Sequence, residues 1–121
     1  MEAQTGGPDR NLAVFERYDA RADRWSKLPP LPTPRGGLGA AIVGRRLVTV
    51  GGEGSTNVFG TVESFDLVTG KWSKLQDLPT PRHGVGVAAI GTRLYVLGGA
   101  REPGHLNSST VSESLAFTSR R

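Results

Sequence analysis

Apolar residues come along this chain in short stretches, each cut off by glycine, proline or charge, and the stretches themselves recur. The longest, 38–43, is interrupted by Gly39 and ends at Gly44. Nothing keeps the spacing of an amphipathic helix or reaches the roughly 18 apolar residues of a membrane-crossing one. The pattern predicts strands. Strand a covers 37–43 and again 84–90, and its near-continuous apolarity predicts burial on both faces. Tight turns at Gly44-Arg45 and Gly91-Thr92 lead into strand b, 46–50 and 93–97. Strand c, 61–67, alternates Val62 and Ser64 with Glu63 and Phe65, and a turn at Thr69-Gly70 leads to a short strand d around Trp72. Pro29, Pro30, Pro32 and Pro34 keep the next connection extended.

These elements belong to a repeat. Residues 15–52 align with 62–99 without a gap, with nineteen identities in thirty-eight positions. Trp25-Ser26-Lys27-Leu28 returns as Trp72-Ser73-Lys74-Leu75, and Leu31-Pro32-Thr33-Pro34-Arg35 as Leu78-Pro79-Thr80-Pro81-Arg82. Gly51-Gly52 returns as Gly98-Gly99, and Tyr18-Asp19 as Phe65-Asp66. A looser copy follows, where Glu113-Ser114-Leu115 echoes Glu63-Ser64-Phe65 after a loop three residues longer. Internal repetition at such a period is the mark of a solenoid or a propeller.

Composition narrows the chemistry. Hydrophobic residues are 36% of the 121, with 17 glycines and 8 prolines, a balance that suits short strands and turns better than disorder. The net charge of +4 is dispersed apart from Arg45-Arg46 and Arg120-Arg121, so neither a basic face with aromatic platforms for nucleic acid nor a membrane-binding segment is expected. The chain has no cysteine, which excludes disulfides, thiolate metal sites and cysteine nucleophiles. Residues 1–10 are polar and lack the apolar core of a signal peptide; a cytoplasmic location follows if Met1 is the native start.

Four antiparallel strands per unit resemble a β-propeller blade, and the residues resemble kelch repeats. Leu47-Val48-Thr49-Val50 runs into Gly51-Gly52, followed by Phe65 and Trp72; Leu94-Tyr95-Val96-Leu97 runs into Gly98-Gly99; and the upstream part-unit supplies Tyr18 and Trp25. The glycine pair permits positive φ and close approach of the next blade, and the aromatic residue and tryptophan fill the wedge between blades. These residues are expected to be structural.

The resemblance covers about 12–117. It implies an all-β fold of kelch-type blades flanked by a flexible segment 1–11 and a tail 118–121. Strands c and d of one blade occupy 12–28, a full blade 35–76, and an unfinished blade 84–117, about two and a quarter blades in all. Kelch rings have about six or seven blades. The expectation is therefore an incomplete ring that belongs to a longer propeller or closes by association of copies through blade faces. In a trimer of copies, the strand at 110–117 would compete with 12–18 of a neighbour.

Because strands a and b run in opposite directions, the d–a and b–c loops meet on one face, where kelch proteins commonly bind ligands. That face collects Arg35, Arg82, His83, Glu53, Arg101 and His105 as candidate binding residues. Arg35 and Arg82 recur in register, which fits either satisfaction of loop carbonyls or recognition of carboxylates in an acidic peptide or sugar acid. His83 stands where the other unit has Gly36, so the scaffold does not demand it.

No catalytic or metal constellation is expected. His83 and His105 have no carboxylate spaced as a third ligand, and the crosslinked tyrosine of galactose-oxidase-like propellers needs a cysteine. Gly84-Val85-Gly86-Val87-Ala88-Ala89 imitates a dinucleotide fingerprint but belongs to a strand. Asn107-Ser108-Ser109 is a glycosylation sequon with meaning only in a eukaryotic secretory setting. The expected function is a non-enzymatic scaffold without cofactors that binds a protein or acidic peptide. The alternatives are a fragment of a carbohydrate-binding or carbohydrate-converting propeller, and a self-assembling unit with no ligand of its own.

Overall fold

A computed structural model describes residues 11–104 and 108–117. Nine strands form three antiparallel sheets: β1 (Glu16–Asp19) with β2 (Arg24–Lys27); β3 (Gly39–Val43), β4 (Arg46–Val50), β5 (Val62–Asp66) and β6 (Trp72–Lys74) in that order; and β7 (Gly86–Ile90), β8 (Arg93–Leu97) and β9 (Ser112–Ala116). There is no helix among the described residues, and the three sheets do not close into a ring. These are the expected strands a to d, most with ends trimmed by one or two residues where the chain enters its turns, while β1 begins four residues after the expected start at Leu12.

The register repeats with the sequence. Leu47 lies opposite Phe65, and Phe65 opposite Trp72; in the third sheet Leu94 lies opposite Leu115. At the turn between β5 and β6, Asp66 Oδ1 accepts from the amides of Val68 at 2.8 Å and Thr69 at 3.0 Å, while its other oxygen meets Arg45 at 2.8 Å. The Thr69 amide, helped by Val68 and Arg45 and opposed by desolvation, holds the Asp66 carboxyl below its ordinary value.

The core lies between the second and third sheets. Val43, Val48, Val50 and Val62 on one side meet Leu94 and Val96 on the other, with Val85, Val87 and Ala89 packed at the margin. Each fully buried valine or leucine contributes about 1.5–3 kcal/mol. Strand a departs from the expectation of burial on both faces. Ala41 and Val43 join the core, whereas Ile42 is 53% exposed and Ile90 is 69% exposed. The reason is that β3 and β7 pack against each other on one face only, with no further described sheet over the other. Strand c departs in the opposite sense. Val62 to Phe65 are all buried, and Glu63 is held on the face opposite Val62 by an ion pair that the alternation did not reveal.

Both glycine pairs adopt positive φ. Gly51 and Gly52 have φ of 67° and 123°, and Gly98 and Gly99 of 64° and 87°. A Cβ on Gly51 would sit 2.3 Å from the carbonyl oxygen of Arg82, and one on Gly99 would sit 2.5 Å from that of His83. The Gly52 amide donates to the Arg82 carbonyl at 2.9 Å. Side-chain-free backbone at Gly51 lets the connection into the third sheet lie directly on the end of the second, and at Gly99 it lets that connection close onto the end of its own sheet.

Candidate functional site

The d–a and b–c loops do gather at one end of the sheets, and backbone bonds tie them together. Gly36 and Glu53 exchange amide–carbonyl bonds of 3.0 and 2.8 Å, as do His83 and Ala100 at 3.0 and 2.9 Å. Across the interface, the Gly84 amide donates to the Gly37 carbonyl at 2.8 Å. The result is a continuous loop platform carried by two sheets.

Arg35 lies beneath this platform. Its Nη1 donates to the carbonyls of Gly51 at 2.6 Å and Thr61 at 3.0 Å, and its Nε to Thr33 at 3.1 Å. Nη2 donates to Thr49 Oγ1 at 3.0 Å and Glu63 Oε1 at 2.8 Å, and Thr33 Oγ1 donates to the other Glu63 oxygen at 2.7 Å. All five guanidinium protons have acceptors. The side chain is 0% exposed, and burial pushes its pKa below the ordinary arginine value while Glu63 works against that shift.

Arg82 repeats the arrangement, bonding Thr80, Gly98, Val111 and Glu113, with Thr80 Oγ1 again donating to the carboxylate. Val96 replaces Thr49, so one bond is lost, and Glu113 is 18% exposed where Glu63 is 4%. Glu63 and Glu113 were not among the residues singled out from the sequence. Their shared Glu-Ser step, paired with the recurring arginines, was the available signal.

Glu53 and His83 meet where the two sheets join. Glu53 Oε2 lies 3.3 Å from His83 Nδ1, and Glu53 Oε1 accepts from the Gly104 amide at 3.0 Å. His83 Nε2 lies 2.7 Å from the Glu102 carbonyl oxygen, which can only accept, so that nitrogen carries a proton. His83 is a residue the scaffold does not demand, yet it is enclosed. It is 8% exposed, because the 100–104 loop folds over it. Arg101 is exposed on that same loop, and His105 lies outside the described residues. Among the described residues no group of three metal-binding side chains comes together.

The wedge aromatics divide into two cases. Phe65 and Trp72 pack against Phe15, the residue just before β1, at 4.9 and 5.4 Å between ring centres, and Trp72 Nε1 donates to the Pro29 carbonyl at 2.9 Å. Tyr18 and Trp25 stack on each other at 5.2 Å but stay 45% and 64% exposed, since no described sheet covers their face.

With this geometry in place, comparison with known proteins becomes informative. Residues 34–79, which hold the whole second sheet and the connection after it, match the family model described as the kelch motif. The chain carries a kelch motif. It is 44% identical over 43 residues to Kelch-like protein 1 of Mus musculus and 41% identical over 49 residues to Kelch-like protein 4 of Homo sapiens. Those stretches cover 36% and 40% of this chain but only 6% and 7% of the relatives. Among solved structures, that of YjhT superposes with a TM-score of 0.67 at 27% identity, over 74% of this chain and 29% of that one. The kelch motif and the superposition agree on kelch-type propeller blades as the fold.

Proposed function

We propose that the chain is a non-enzymatic scaffold that binds a protein or peptide on the loop platform bearing Glu53, His83 and Arg101. The observation that carries this reading is the cross-sheet tie of Glu53 to His83 and Gly104, which holds loops of two blades as one surface. A pre-ordered surface binds without the entropic cost of ordering its loops. Arg35 and Arg82 serve from beneath by fixing those loops, and Arg101 is the platform cation available to an acidic partner. Kelch repeats typically mediate protein interactions, which supports the same reading. Self-association through blade faces is a second part of it, supported by the exposed Ile42, Ile90 and Leu97.

The test is selection of a displayed random-peptide library on the full chain, with a glycan array in parallel. Enrichment of acidic peptides whose affinity falls at least tenfold against Arg101→Glu is the expected result. Glycan binding without peptide enrichment would favour the carbohydrate alternative and overturn this one.

A further inference from the structure

The cations are dispersed along the sequence, but the fold brings six of them to the end of the sheets opposite the loop platform. Strands β3 and β7 run away from the platform loops at Gly37 and Gly84, and β5 runs the same way. Asn11 Nδ2 donates to the Glu53 carbonyl at 3.1 Å, which sets the start of the first stretch at the platform and the β1–β2 turn at the far end. The four tight turns therefore share one end. Arg21, Arg24, Arg45, Arg46, Lys71 and Arg93 stand in or beside them. Among the described residues, only Arg45 of these six closes an ion pair. The carboxylates at this end are engaged locally: Asp19 by the amides of Arg21 and Ala22, Asp23 by the Tyr18 hydroxyl, and Asp66 by Val68, Thr69 and Arg45.

Within this end, an apolar tip is held in place by backbone bonds. The Leu67 amide donates to the Arg45 carbonyl at 2.8 Å, joining the β5–β6 turn to the β3–β4 turn. The Gly70 amide donates to the Asp66 carbonyl at 2.8 Å, and the Asp66 side chain holds the two amides between. So fixed, Leu67 is 48% exposed and Val68 71% exposed. The first unit has Ala20 and Arg21 at these positions, so the turn itself does not require apolar side chains there. An ordered apolar tip rimmed by cations offers contact area without the cost of ordering a loop.

We propose that this turn end docks an acidic segment of a protein partner, as a second binding surface opposite the loop platform. An apolar residue of the segment covers Leu67 and Val68, and flanking carboxylates meet Arg46, Lys71 and Arg93. Asp19, Asp23 and Asp66 stand among the cations and repel a continuous anionic surface, whereas a peptide can space its carboxylates between them. Neither the β3–β4 nor the β5–β6 turn carries an aromatic side chain on which a base could stack. The site does not depend on the platform's function. With both ends in use, the chain joins two partners.

The probe is a labelled synthetic peptide in which pairs of glutamates alternate with single leucines, titrated into the full chain and followed by fluorescence anisotropy. Saturable binding is expected, weakened by salt and at least tenfold weaker when glutamine replaces the glutamates. The chain with Lys71→Glu and Arg93→Glu, both at exposed positions, should also bind at least tenfold more weakly. On the unaltered chain, peptide should shift the amide resonances of Leu67, Val68 and Lys71. Arg101→Glu on the platform should leave those shifts in place, which separates the two surfaces. No saturable binding overturns the proposal, as does equal binding of the glutamine peptide. Shifts confined to the platform loops overturn it even where the charge-reversed chain fails to fold. Tighter binding of phosphatidylserine-containing vesicles or of duplex DNA through the same turns overturns it equally.

Discussion

The guanidinium of Arg35 closes a 2.8 Å ion pair with the Glu63 carboxylate inside the second sheet, 28 residues away in the chain and sealed from solvent. Arg82 and Glu113 repeat the bond length in the third sheet, yet there the carboxylate keeps 18% of its exposure. The difference decides what each arginine is worth to stability. Removing one partner of a buried pair costs about 3–5 kcal/mol, because the other charge is left without compensation. Arg35→Ala is expected to lower unfolding free energy by about that amount, measured by urea denaturation. Arg82→Ala should cost clearly less, since water reaches Glu113. Equal losses would mean that carboxylate exposure does not govern the pair.

Gly51 gives a sharper geometric test. At Gly91, φ is 60° and no atom lies within 4 Å of an added Cβ, so alanine there meets only the left-handed backbone cost of about 1–2 kcal/mol. At Gly51, φ is 67° and the added carbon would also collide with the Arg82 carbonyl oxygen at 2.3 Å. Gly51→Ala should therefore destabilise well beyond Gly91→Ala in thermal unfolding. Similar melting shifts would show that the two sheets can part at this point without cost.

Trp72 and Trp25 occupy the same repeat position and should answer differently to the same change. Trp72→Phe removes the bond to the Pro29 carbonyl, a loss of about 1 kcal/mol. Trp25→Phe, at an exposed position, should leave the unfolding midpoint unchanged within about 0.5 kcal/mol. Intrinsic fluorescence adds a second reading: the variant that retains only Trp25 should emit further to the red.

Acid should weaken the β5–β6 turn through Asp66. Its native pKa lies below the ordinary value of 3.8, so its contribution is whole above that value and disappears as pH falls through the depressed native one. The stability gap between the unaltered chain and Asp66→Asn should hold at neutral pH and narrow only in that acid window. A gap that closes near neutrality would assign the effect to another group.

Exposed apolar residues lie on outward faces of the second and third sheets, Ile42 on one and Ile90 and Leu97 on the other. Light scattering should report a solution mass above that of one 12.8 kDa chain, reduced by Ile42→Lys with Ile90→Lys. A monomer at high concentration would remove self-association from the proposed function.

The strands and their order within a blade were legible from the sequence, because each follows from local periodicity or a position marked by the repeat. Tertiary structure alone decided which faces are covered. Strand a reads as buried on both sides, but Ile42 and Ile90 face outward because only one neighbouring sheet lies against each. Tyr18 and Trp25 match Phe65 and Trp72 in position and differ from them in burial for the same reason. The loop arginines could point out to a ligand or in to the sheet, and the inward choice depended on Glu63 and Glu113 arriving from strands far along the chain. A side chain's partner is set by what packs against it from a distance, and neither periodicity nor spacing carries that information.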